Sequence, residues 1–142
     1  MTIPHMNPTI ITHYIDQHIM ILLLIGRLLF SLLFIFSGIM QLWNFKNTVQ
    51  YLTTLKVPFP KFSAISSNIV SFIGGIGIVY RSYSLYGSIL IIFFLLPTTM
   101  MAHRFWSIED KTEKNNQMQH FMKNVALIGS AILIALTSLY DK

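Results

Sequence analysis

Residues 19–43 read IMILLLIGRLLFSLLFIFSGIMQLW. The run is longer than the ~20 residues a helix needs to cross the hydrocarbon core of a bilayer. It holds one full charge, Arg27. A water-solvated domain of this size does not require so long an apolar run, so the bilayer is the expected solvent. A helix is then the expected form, because a lipid-embedded backbone must satisfy its own hydrogen bonds. Trp43 and Phe45 suit an interface anchor at its end.

The rest of the chain repeats the pattern. Residues 62–80, 83–102 and 120–140 are further apolar stretches of spanning length. The fold class expected is all-α, an integral membrane four-helix bundle, with the 142 residues forming a single transmembrane domain. Composition agrees: hydrophobic residues make up 54% and charged residues 11%, against roughly a quarter charged in soluble domains.

The connections fill in the outline. Asn7-Pro8 suits a helix start, and Ile10, Ile11, Tyr14 and Ile15 share one face, predicting a short interfacial helix that runs into the first span. A frayed tail is the alternative. Val49, Leu52 and Leu55 predict a short amphipathic helix in the first connector, closed by Val57-Pro58-Phe59-Pro60. Pro97 predicts a kink in the third span. Residues 103–119 hold Glu109, Asp110, Lys111, Glu113 and Lys114 and read as a solvated loop or short exposed helix. In the second span Ser67, Ser71 and Gly75 recur every four residues beside Gly74 and Gly77. That small-residue face predicts close helix packing.

The first and third connectors, with Lys123, hold seven Lys and Arg, and the terminal side has Arg81 and Lys142. The positive-inside rule then places both termini outside and the connectors in the cytoplasm. The net charge of +5 is therefore topological, and with no basic stripe a nucleic-acid partner is excluded. There is no cysteine, which excludes a disulfide, a cysteine-bound cluster and any thiol relay run by this chain alone.

Arg27 is the most informative single residue. An arginine inside a span costs at least ~2.5 kcal/mol on insertion scales. It either snorkels to the interface or pairs with an anion. No Asp or Glu lies in any of the four spans, so the expected mate is a lipid phosphate, a ligand oxygen or another protein's carboxylate. The other polar concentration is residues 98–124, TTMMAHRFWSIEDKTEKNNQMQHFMKN. There His103, Arg104, Trp106, Lys123 and Asn124, with Gln41 from the first span, fall at one membrane face. They predict a basic, hydrogen-bonding rim for a partner or for lipid headgroups. His103 and His120 on neighbouring helices are of the type that ligates haem or a metal, but no metal-binding spacing accompanies them, so interfacial hydrogen bonding is preferred. No phosphate loop or nucleophile elbow occurs, and no catalytic activity of the chain's own is expected.

Four segments in order carry a resemblance: GRLLFSLLFIFSGIMQL at 26–42, SFIGGIGIVYR at 71–81, HRFW at 103–106 and HFMKNVALIGS at 120–130. Together they resemble the DoxX family of small four-helix membrane proteins. The resemblance implies a bundle in the bacterial cytoplasmic membrane. It also implies a link to quinone-dependent or thiol-redox membrane complexes, often as a small subunit, while other relatives act as assembly chaperones. Ser71 stands where many relatives carry glutamate, and Gln41 where many carry lysine. The missing acid would have been the natural mate of Arg27. The expected function is an accessory subunit of a redox-linked membrane complex. The alternatives are a quinone- or phospholipid-binding protein and an assembly chaperone.

Overall fold

The computed structural model describes the backbone of residues 8–140 and the side chains of residues 16–139. Asn7 and the terminal Asp141-Lys142 therefore lie outside it, as do the side chains of the proposed N-terminal face. Five helices follow in order: α1 (Pro8–Trp43), α2 (Phe45–Thr54), α3 (Pro60–Val79), α4 (Ser84–Ala102) and α5 (Lys111–Tyr140). Among the described residues there is no strand. Four of the helices are long and apolar enough to cross a membrane. Many large apolar side chains, Leu22, Leu29, Phe36 and Phe93 among them, point outward. In water that surface would aggregate; in lipid it is solvated.

The N-terminal helix runs into the first span without a break: Pro8 opens α1, which continues for 36 residues. That is ~54 Å of helix against ~30 Å of hydrocarbon, so its polar first turns extend beyond the span. The helix of the fourth span, α5, begins at Lys111, within the segment read as a solvated loop or short exposed helix. The cause is local. Asp110 Oδ1 accepts the Glu113 N–H at 2.8 Å, and the Asp110 carbonyl accepts the Lys114 N–H at 2.9 Å. This is a side-chain cap of the Asp-x-x-Glu kind, which starts the helix in the charged segment.

The small amphipathic helix falls where it is expected, as α2. It contributes no buried residue and lies against α3 at the end of the bundle opposite the termini. Lys56 and Phe59, in the link to α3, both hold positive φ (55° and 49°), an unfavourable conformation for a bulky side chain. Pro60 then starts α3, where its missing N–H costs nothing. Pro97 sits inside α4, which remains helical to Ala102. Beside it the Thr98 hydroxyl donates to the Phe94 carbonyl at 2.7 Å.

The spanning helices pack in series: α1 on α3, α3 on α4, α4 on α5. The core between them is Phe34, Ile78, Ile91, Leu95 and Ala131, flanked by Phe30, Phe94, Leu127 and Ile128. The α3–α4 seam is the tightest. A Cβ added to Gly87 would stand 2.6 Å from the Ile78 amide nitrogen and 2.7 Å from the Gly74 carbonyl oxygen. Gly74 and Gly77 face the same seam, whereas Gly75 faces α1 at Ser31 and Phe34. The expected small-residue face therefore serves two neighbours, one on each side of α3. The end helices α1 and α5 do not close tightly on each other, and a cleft opens between them.

Candidate functional site

The site lies at the connector end, where α2 covers the ends of the spans. Tyr51 of α2 donates its hydroxyl to the Ala102 carbonyl at 3.4 Å, and Arg104 Nη2 donates to the Leu55 carbonyl at 3.4 Å. These two long bonds hold α2 across the bundle end. Burial, reinforced by the negative charge of Glu113, raises the Tyr51 phenol above its ordinary pKa of 10.0, so it stays a neutral donor.

Beneath α2 is a cavity of about 390 Å³. Leu52, Ala64 and Phe94 line it with apolar surface, and Gln41, Asn47, Thr48, Tyr51, Ser67, Thr98 and His103 add polar groups. A second cavity of about 180 Å³ shares Gln41, Phe94, Thr98 and His103 with the first. It continues between α1 and α5 to Lys123 and Asn124. Apolar walls with a few convergent polar groups are the usual composition of a small-molecule site.

His103 is the most firmly oriented group in it. Gln117 Nε2 donates to Glu113 Oε1 at 2.8 Å, which leaves Gln117 Oε1 to accept from His103 Nδ1 at 2.7 Å. With Gln117 Oε1 as acceptor, Nδ1 is the donor of this bond, and the ring's Nε2 is left toward the rest of the site. The His103 ring also stacks on His120, centroids 5.2 Å apart and planes 19° from parallel. Ring-nitrogen lone pairs lie in the ring plane, so stacked rings do not aim at one shared centre. Among the described residues, no group of three or more His, Asp or Glu gathers as for a metal.

The other expected residues fall at three places. Gln41 lines both cavities and donates to Ser37 Oγ at 3.0 Å. Asn124 is buried on the smaller cavity, while Lys123 is exposed at its mouth, its Nζ 3.5 Å from His120 Nδ1. Trp106 is half exposed and packs edge-on with Phe105 and Phe121 beside the site. Ser71 is buried on α3 next to Gly38. Ser67, read as a packing residue, lines the larger cavity instead.

Arg27 belongs elsewhere. It is 5% exposed, toward the terminal end, on a cavity of about 320 Å³ between α1 and α5 with Gly26, Phe30, Ser130 and Thr137. It is engaged by an interaction of its own within the fold, so it is not a bare charge. Arg27 and Gln41 stand fourteen residues apart on one helix, ~21 Å. The expected rim and the expected arginine are therefore separate features.

Several residues of the cavity escaped the sequence reading. Asn47, Thr48 and Tyr51 sit on a helix whose polar side reads as solvated, and only its position over the bundle end brings them to the cavity wall, where Asn47 and Tyr51 stay exposed. Asn68, on α3 one step from Ser67, is buried although it is an amide in an apolar span. That last signal was visible in the sequence, since a polar residue in a span is costly and rarely idle.

The DoxX family model matches residues 22–104, more than half of the chain. The chain belongs to the DoxX family. It is 33% identical over 117 residues to inner membrane protein YphA of Escherichia coli (strain K12), covering 82% of this chain and 83% of that protein. No solved structure is a significant match. The DoxX-matched segment holds Arg27, Gln41, Ser71, His103 and Arg104, and ends before the α5 residues Lys123 and Asn124.

Proposed function

We propose that this DoxX-family chain is a membrane-embedded binding protein for an amphipathic small molecule, a quinone or a phospholipid. Its polar head occupies the cavity beneath α2, and its apolar tail leaves between α1 and α5. The observation that carries the reading is the adjoining pair of cavities, apolar in the main, which share Gln41 and His103 in their walls, with His103 Nδ1 held by Gln117. Such a site orients a head group without needing a catalytic residue of its own. The relative's name supports the bacterial inner membrane, and the positive-inside count supports both termini outside with the site at the cytoplasmic face.

Purification in lipid nanodiscs, organic extraction and mass spectrometry test it. One amphipathic species should be enriched over the bulk membrane, and His103→Ala should lose most of that enrichment. An extract matching bulk lipid in both proteins overturns the reading.

A second reading is the accessory subunit of a redox-linked membrane complex. It is favoured by Trp43, Phe59 and Phe62 at the connector end, the first two more than four-fifths exposed. Exposed aromatics here suit either headgroup contact or a protein neighbour. A stoichiometric protein partner in gentle detergent would support the subunit role, and a chain that isolates alone with its ligand would count against it.

A further inference from the structure

Asn68 is 2% exposed, and neither its Nδ2 nor its Oδ1 has a hydrogen-bond partner. It stands eight residues into α3, ~12 Å along the helix, where water is scarce. An unmet amide is expensive there, so it persists for a reason other than packing. Four hydroxyls are in the same condition, those of Ser31, Ser71, Ser84 and Thr99, and two of them, Ser71 Oγ and Thr99 Oγ1, stand near Asn68.

Helix register brings Asn68 and Thr99 near one level, with Ser71 about one turn farther along α3. Gly75 faces Ser31 and Phe34, and Gly38 faces Ser71 and Phe72, which sets Asn68 level with Gln41. Gly74 faces Ile91, and Gly77 faces Gly87, which sets Thr99 level with the turn from Ala64 to Asn68. Ala64 and Ser67 line the larger cavity, so Asn68 shares a turn with its wall. Asn68, Ser71 and Thr99 do not themselves line this cavity, so a ligand reaches them only if wall side chains shift; Phe94 and Thr98 in that wall are only half-buried.

We infer that Asn68, with Ser71 and Thr99, is an inner polar subsite of the cavity, taking the uncharged hydrogen-bonding head of the ligand. This rests on the reading of the cavity as a ligand site and sharpens it. The charged groups of this end, Arg104, Glu113 and Lys123, all stand on the exposed rim. The polar side chains inward of them carry no fixed charge: Gln41, Ser67, Thr98 and His103 in the cavity wall and then Asn68. An anion drawn to that depth would shed its hydration with no opposite charge to meet it. A hydroxyl or carbonyl loses far less water and gains partners that are otherwise idle. An amide presents a donor and an acceptor side by side, which matches a hydroxyl that both gives and accepts.

The test uses the full chain in nanodiscs with asparagine side-chain amides isotope-labelled, and three probes: octanol, octane and octyl phosphate. The Asn68 amide resonance, identified by its loss in Asn68→Leu, should shift with octanol and stay in place with octane and octyl phosphate. Asn68→Leu should bind octanol about tenfold more weakly, the loss of one or two hydrogen bonds. It should also melt higher, because an apolar group of similar size replaces an unpartnered one. Thr99→Val, a smaller change, should weaken octanol binding while leaving folding intact. A lower melting temperature for Asn68→Leu would overturn the subsite, making Asn68 a structural link between helices. Unchanged octanol binding in Asn68→Leu or an unmoved resonance would overturn it too. If wild-type protein takes none of the probes or any native lipid, the cavity reading itself fails.

Discussion

The α3–α4 seam and the connector end are built from the same kinds of helix, yet they are opposites. At the seam, Gly74, Gly77 and Gly87 let two backbones approach until no side chain fits between them. At the connector end the helices part, and cavities of about 390 and 180 Å³ open under a small helix held by two long hydrogen bonds. Lipid supplies no hydrophobic drive between helices, so close van der Waals contact must hold the bundle together. The tight seam is therefore the scaffold, and it permits looseness elsewhere.

The largest expected effect breaks the scaffold. Gly87→Ala must push α3 and α4 apart, since its Cβ would meet backbone atoms below 3 Å. A loss of about 3 kcal/mol is expected, at the upper end for overpacking, measured by unfolding in detergent or by steric trapping. Gly129→Ala, where the new Cβ has open space, is the control. It should be neutral or stabilise by up to ~1 kcal/mol through helix propensity. Equal damage from both would mean the seam is no tighter than the rest.

Next in size is Gln117→Leu. It removes the acceptor that holds His103 Nδ1–H, so the ring is free to turn. Ligand retention should fall several-fold with little change in melting temperature, read by extraction and mass spectrometry. A large drop in stability with retention intact would place Gln117 in the scaffold instead.

The smallest effect concerns α2. Tyr51→Phe deletes its bond to the Ala102 carbonyl, and a twofold to threefold faster ligand release is expected from stopped-flow exchange. The raised phenol pKa sets the pH behaviour. A raised group contributes fully below its unfolded pKa near 10 and loses that contribution only as pH climbs through the higher folded value. Tethering of α2 should therefore not vary between pH 6 and 9, and release rates across that range check it.

The spans were legible because an apolar run of that length has few alternatives to a membrane helix, and α2 was legible from Val49, Leu52 and Leu55. The start of α5 was not, because the charges of residues 109–114 suggest solvent until Asp110 is seen capping the helix. Gly87 went unread because one glycine in a span carries no periodic signal, while Ser67, Ser71 and Gly75 do. Ser67 then proved to line a cavity, since the spacing that places residues on one face does not say how close the neighbour comes.

Four ordered segments carried the likeness to the DoxX family, while residue chemistry and hydrophobic run length alone determined an all-helical membrane protein with polar residues concentrated at one end. Both are local properties, set by what lipid tolerates over about twenty residues. Only the tertiary structure decided that Arg27 and the His103 rim are separate places, that α2 roofs a cavity, and that Asn68 is buried with its amide unpartnered. Those depend on crossing positions of helices distant in sequence, which side-chain volumes at the seam dictate and no single segment encodes.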